Sequence, residues 1–197
     1  MKRYVVIVTG ASGSAYGLRL VEQLLEIGEV TLIFTKMGAE MTAYELGLMV
    51  PADGGRDAVL RYLELPRDLP LRVVPSDDLF DAAASGSTRI DAVVVAPASM
   101  GFVGSLSGGL ASDLAERAAD VALKERRRLV VVPRETPLSL IHLRNLTTLA
   151  EAGASIVPAM PGFYQRPGSV DDMVNFVVGK VLDVLDVDHE LFTRWRG

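Results

Sequence analysis

Apolar residues come in two textures along this chain, and their alternation predicts the fold. Tyr4-Val5-Val6-Ile7-Val8, Ala92-Val93-Val94-Val95-Ala96 and Leu129-Val130-Val131-Val132 are almost wholly apolar runs. Lacking a polar face, they read as strands covered on both sides. Between such runs the apolar positions recur at helical spacing, as at Leu18, Leu20, Val21, Leu24 and Leu25. The pattern predicts strands near 4–9, 30–35, 71–74, 91–96, 129–133 and 155–158. It predicts helices near 15–27, 38–48, 110–125 and 138–152, with a last one near 170–186. Strands alternating with helices imply an α/β fold. The expected architecture is a single doubly wound, Rossmann-like domain over residues 1–197, its mostly parallel sheet of about six strands flanked by helices on both faces. The stretch from Pro51 to Pro75, with Gly54-Gly55 and many charges, is the least regular and reads as a surface excursion.

In an open α/β sheet, ligands sit outside the carboxyl ends of the strands, so the residues following each strand matter most. In order they are Gly10-Ala11-Ser12-Gly13, Thr35-Lys36, Pro75-Ser76-Asp77-Asp78, Pro97-Ala98-Ser99-Met100-Gly101, Pro133-Arg134-Glu135-Thr136-Pro137 and Pro161-Gly162-Phe163-Tyr164-Gln165-Arg166-Pro167. Small, hydroxylated and charged residues collect at this edge. The first junction is the most specific: a strand, a small-residue turn and a helix present free backbone N–H groups to an anion such as phosphate. It is not a dinucleotide fingerprint. The glycines fall at 10, 13 and 17 rather than in G-x-G-x-x-G spacing, and the second strand ends in Thr35-Lys36 instead of an acid for a ribose.

Composition narrows the classes. Hydrophobic residues make up 49%, yet none of the apolar runs reaches the roughly 18–20 residues of a membrane span. Met1-Lys2-Arg3 leads directly into a strand, without the apolar segment of a signal peptide, and there is no cysteine. A cytoplasmic protein without disulfides or thiolate metal sites is expected. The net charge of −5 argues against nonspecific nucleic-acid binding, so an anionic ligand needs locally placed cations. His142 and His189 are too few for a histidine metal centre and read as structural or exposed. Asp77-Asp78-Leu79-Phe80-Asp81 spells the D-D-x-x-D that chelates magnesium in helical isoprenoid synthases, but one copy in an α/β chain reads as helix capping, and no metal is expected.

Taken together, Thr9-Gly10-Ala11-Ser12-Gly13 with Tyr16-Gly17-Leu18-Arg19, Glu116-Arg117-Ala118-Ala119-Asp120-Val121-Ala122-Leu123-Lys124-Glu125-Arg126-Arg127, Val132-Pro133-Arg134-Glu135-Thr136-Pro137 and Pro161-Gly162-Phe163-Tyr164 resemble the UbiX flavin prenyltransferases. The likeness covers nearly the whole chain, in order and with matching gaps. It implies transfer of a dimethylallyl group from dimethylallyl phosphate to N5 and C6 of reduced FMN, giving the prenylated FMN used by a UbiD-type decarboxylase. Position by position, it implies that Gly10, Ala11, Ser12, Thr35, Ser99, Met100, Gly101, Phe102 and Arg134 hold FMN. Arg117, Lys124, Tyr164 and Lys180 would serve the dimethylallyl phosphate, and Glu45, Lys124, Glu135 and Tyr164 the chemistry. The family forms homo-oligomers, usually dodecamers, with active sites near subunit contacts. Two positions depart from it: Thr35 stands where serine is common, and Leu79 where several members carry tryptophan close to the prenyl chain.

The residue types suit that chemistry. Breaking an allylic C–O bond leaves a phosphate anion, which fixed cations stabilise, while the flavin supplies the nucleophile. Ring closure at C6 must release a proton, which Glu135 or the retained phosphate can accept. Each residue also has an ordinary role: Lys124 to Arg128 complement a helix dipole, Glu45 and Lys180 are exposed helix residues, and Arg134-Glu135 is a loop ion pair. Two other functions share the flavin-binding edge. One is an FMN-dependent decarboxylase of cysteine-derived substrates, which relies on a histidine; the other is a non-catalytic FMN carrier.

Overall fold

The computed structural model describes residues 1–51 and 55–194. Its six strands are β1 (Lys2–Val8), β2 (Gly28–Phe34), β3 (Leu71–Pro75), β4 (Ala92–Ala98), β5 (Arg128–Pro133) and β6 (Ser155–Ile156). All pair in parallel, in the order β3-β2-β1-β4-β5-β6. This is the doubly wound order, and its switch point lies between β1 and β4, where ligand crevices open in such sheets.

The helices are α1 (Ser14–Leu25), α2 (Lys36–Leu46), α3 (Arg56–Tyr62), α4 (Met100–Ser107), α5 (Leu114–Lys124), α6 (Leu140–Glu151) and α7 (Val170–Leu185). Two differ from the sequence expectation. The stretch read as an excursion contains α3, whose Val59 and Leu60 are buried; Gly54 lies outside the described residues. The helix α4 is additional. It alternates large residues, Met100, Phe102, Val103 and Leu106, with glycines and serines, a composition that does not look helical until Ser99 caps it and the large side chains find the core. Strand β6, at one edge of the sheet, is only two residues long.

The strand side chains alternate between two cores. One joins Tyr4, Val6 and Val8 to α1, α3 and α7; the other joins Val5, Ile7, Val93 and Val95 to α4, α5 and the buried Leu149 of α6. The N-terminus of α2 is set tightly against the end of β1: a Cβ on Gly38 would come within 2.1 Å of the Val8 carbonyl oxygen, so only glycine fits.

Parallel topology also fixes where helix ends lie. A helix leading into a parallel strand must finish at that strand's amino edge. Thus α5 starts beside the end of β3, where the Leu114 amide donates to the Ser76 carbonyl at 2.7 Å, and finishes just before Arg128 opens β5. The two ends are about 16 Å apart along the eleven-residue helix.

Candidate functional site

Thr9, the residue after β1, ties the switch point together. Its hydroxyl donates to the Pro97 carbonyl at 2.8 Å and accepts from the Ser99 amide at 2.7 Å. Arg134, beyond β5, adds a third arm: its Nε donates to the Ser12 carbonyl at 3.0 Å and its amide to the Ala98 carbonyl at 3.2 Å. The guanidinium is thereby aimed back over the turn at 10–13, with its outer nitrogens left for a ligand. Tyr16 lies under the same group. Burial pushes the pKa of its phenol up, against the opposing charge of Arg134.

The FMN candidates divide by what their side chains already do. Thr35 caps α2, its oxygen accepting from the Gly38 amide at 3.0 Å; Ser99 caps α4 by accepting from the Phe102 amide at 3.3 Å. Both hydroxyls keep a hydrogen to donate. Met100 and Phe102 are buried in the core, whereas Gly101 is exposed. A ligand at 99–102 therefore meets the hydroxyl and the backbone, not the two large side chains.

Glu45 changes the picture of the turn. From the end of α2 its carboxylate accepts from the Gly13 amide at 2.9 and 3.1 Å and from the Ser14 amide at 3.0 Å. It occupies the positive end of α1, the position expected for an external phosphate. Among the described residues, the amides of Gly10, Ala11 and Ser12 donate to no protein acceptor, and they are the part of the turn open to a ligand. Burial opposes ionisation of Glu45, but hydrogen bonds from Ser12, Gly13 and Ser14 outweigh it and hold the carboxyl below its ordinary range. The sign follows from linkage: a folded value below the unfolded 4.5 gives stability that is complete above that value and disappears as pH falls through the lower one. Glu45→Gln is accordingly expected to lose about 1 kcal/mol at neutral pH and to show a shallower fall in melting temperature on acidification below pH ~5. Parallel melting curves of the two proteins from pH 7 to pH 3 check this; identical slopes would remove the carboxylate from the turn's energetics.

The remaining candidates are spread across the chain. Glu135 is exposed at the mouth, one oxygen accepting from the Thr136 amide at 2.9 Å. Tyr164 stands on the loop that leaves β6 at the same edge, half exposed, its ring edge-on to Phe176 with centroids 5.8 Å apart. Arg117 donates to the Ala84 carbonyl at 3.2 Å and pairs with Asp120 at 2.7 Å, on the face of the sheet. Lys124 pairs with Glu125 beside Gly86, at the amino edge. Lys180, ten residues into α7, pairs with Asp183 at 3.0 Å. One chain thus assembles Gly10 to Ser12, Thr35, Glu45, Ser99 to Phe102, Arg134 and Glu135, with Tyr164 nearby. Among the described residues no hydrogen bond or ion pair joins Arg117, Lys124 or Lys180 to them; each has a local partner.

The other sequence signals resolve locally. Asp81 caps the 3₁₀ turn at Ala82–Ala84 and pairs with Arg72, and Asp78 accepts from the Phe80 amide at 3.2 Å. Among the described residues there is no grouping of His, Cys, Asp or Glu suited to a metal ion. His142 completes the capping box of α6, while His189 is buried against Asp183. No helix among the described residues is long and apolar enough to cross a membrane. Asp183 and Arg194, which gather around Lys180, were not among the sequence candidates; their link is made only when the chain beyond α7 folds back.

The sequence pattern described as Flavoprotein matches residues 1–182. The flavin prenyltransferase UbiX of Halalkalibacterium halodurans is 46% identical over 193 residues, covering 98% of this chain and 92% of that protein. Among solved structures, AnUbiX in complex with FMN and dimethylallyl pyrophosphate superposes with a TM-score of 0.89 at 38% identity, covering 100% of this chain and 98% of that one. A dodecameric FMN-dependent UbiX-like decarboxylase from Escherichia coli O157:H7 gives 0.86 at 37% identity, with 100% of both chains covered.

Proposed function

The chain belongs to the flavoprotein family and, within it, to the UbiX flavin prenyltransferases, and from that premise we propose how its own residues move a dimethylallyl group from dimethylallyl phosphate to N5 and C6 of reduced FMN. The observation that carries the reading is the crevice between β1 and β4, where the open amides of Gly10, Ala11 and Ser12 face the same mouth as Arg134 and Glu135. These donors fit a flavin: three amides and a guanidinium match an anionic or carbonyl-rich ligand, and the hydroxyls of Thr35 and Ser99 extend the set.

When bound, reduced FMN supplies the nucleophilic ring, so no side chain need attack. The protein's part is to place the groups and manage charge. Arg134, tied to the Ser12 carbonyl, would help hold the flavin beside the turn. Cations stabilise the phosphate as the allylic C–O bond opens, which makes Arg117, Lys124 and Lys180 the natural partners of the departing group. Tyr164 donates to that phosphate. Glu135 would accept the proton that ring closure sets free. Since in one chain Arg117, Lys124 and Lys180 pair locally and not with the turn, the reading has a second copy present cations to the first. A homo-oligomer, a dodecamer in this proposal, meets the requirement, and it accords with the dodecameric relative. The chain would work as one flavoprotein domain over 1–197, in the cytoplasm, handing prenylated FMN to a UbiD-type decarboxylase.

The histidine positions disfavour decarboxylation of a cysteine-derived substrate, because His142 and His189 are engaged in capping and in the C-terminal cluster. A pure FMN carrier would leave Glu135 and the cation set without employment. The deciding measurement is phosphate release from dimethylallyl phosphate with reduced FMN, followed by mass analysis of the flavin. Release with gain of a C5 unit is expected, and it should persist in EDTA because the cations stand in for magnesium. Activity abolished by EDTA and restored by magnesium would return the aspartates at 77–81 to consideration.

A further inference from the structure

The two groups assigned to the donor phosphate from the C-terminal third, Tyr164 and Lys180, each meet a residue of α7, Phe176 and Asp183, that the chain folding back after the helix also engages. Asp186 reverses the backbone in the left-handed region, with φ 58°. The Val187 amide then donates to the Leu182 carbonyl at 3.0 Å. His189 is buried, with only 1% of its side chain exposed. Phe192 lies 5.3 Å from the ring of Phe176 and 5.0 Å from that of His189. Helix α7 is cut away to receive them, since a Cβ on Gly179 would lie 2.5 Å from Phe192 and 2.7 Å from His189. Phe176 in turn backs Tyr164, and the Gln165 side chain donates through Nε2 to the Thr193 carbonyl at 2.9 Å.

At the centre Asp183, its side chain 20% exposed, faces Lys180 at 3.0 Å, Arg194 at 2.8 Å and His189 Nε2 at 3.3 Å. We propose that Asp183 and Arg194 are positioning residues for the donor phosphate: Asp183 holds Lys180 ready on α7, and Arg194 keeps Asp183 neutralised when Lys180 turns to the phosphate. The inference rests on the prenyltransferase reading and on the role that reading gives Lys180.

The physical case is one of charge balance. A carboxylate largely removed from water resists losing its only cation, and a lysine held by such a group alone would be slow to leave. Here the carboxyl has two strong cations. Burial works against its ionisation, but Lys180 and Arg194 outweigh that and keep it acidic. With both paired to a single carboxylate, the cluster carries one positive charge in surplus, which an incoming phosphate relieves. Because Arg194 sits on the returning segment that also carries Phe192, the exchange of partners is tied to the seat of Tyr164 behind Phe176.

The test is a double-mutant cycle on the FMN-loaded oligomer, with calorimetric binding of dimethylallyl phosphate read beside kcat and KM. Arg194→Ala is expected to raise both Kd and KM for the donor about tenfold, with kcat and FMN affinity within about twofold, and Arg194→Lys to recover most of the loss. Lys180→Ala should weaken donor binding at least as much. On the Lys180→Ala background, Arg194→Ala should add less than about twofold, because its effect runs through the lysine. An Arg194 effect that persists undiminished without Lys180 would reduce the residue to a tail anchor and overturn the proposal. So would unchanged donor binding in Arg194→Ala when Lys180→Ala is impaired, and in that case the prenyltransferase reading stands. Unchanged donor binding in Lys180→Ala itself would overturn the proposal together with the phosphate role that the reading assigns to Lys180.

Discussion

Glu135→Gln is expected to bind FMN like the parent protein while forming prenylated FMN roughly 10²–10⁴-fold more slowly, the usual range for a lost acid–base group. The geometry allows this separation. Glu135 is exposed at the mouth and makes no contact that shapes the turn at 10–13; its hydrogen bond is to the neighbouring Thr136 amide, which a glutamine oxygen can also accept. Arg134, whose Nε bonds to Ser12, keeps its place through the backbone and that bond. Only proton acceptance is removed. The check is a comparison of FMN titrations with the rate of product appearance by absorbance and mass. Parent-like rates in the variant would leave Glu135 as a loop residue beside Arg134, with the proton going to the phosphate instead.

The second large effect concerns assembly. Lys124 lies at the amino edge of the sheet beside Gly86 and Glu125, at the far end of α5 from the carboxyl edge that carries the turn of its own chain. If it serves the reaction, it serves another copy. Lys124→Ala and Glu135→Gln should each be nearly inactive alone, yet oligomers assembled from both variants should regain activity. In a random one-to-one mixture, a site is intact when its own chain supplies Glu135 and its neighbour supplies Lys124, so recovery should approach about a quarter of the parent rate per site. Co-expression with two different tags, purification through both and assay of the mixed oligomer measure this. Failure of the mixed oligomer to recover would confine Lys124 to its surface pair with Glu125.

Where the sequence could be read and where it could not follows the range of the interactions. The buried strands were legible because their apolar runs record burial on both faces, as in Val93 to Val95, fully buried in the sheet. The turn after β1 was legible because strand, small residues and helix are adjacent in the chain. Helix α4 was hidden by its glycines and serines, and α3 by the charges around it. Glu45 shows the limit most clearly. By local pattern it is an exposed residue at the end of a helix; in the fold it caps a different helix more than thirty residues away.

Patterning and local chemistry alone determined an α/β fold, the residues that end each strand, and the concentration of donors and charges at one edge. Those properties depend on neighbours in the chain, where apolar period and turn composition act directly. The strand order, the crevice beside Thr9, the seat of Glu45 on α1 and the cluster of Lys180, His189 and Arg194 around Asp183 were decided only by tertiary structure. Each depends on which distant segments pack together, and so does the distance between Lys124 and the turn. A helix that leads into a parallel strand must end at the strand's far edge, and that rule, written in no single segment, sets the cation apart from the site it is expected to serve.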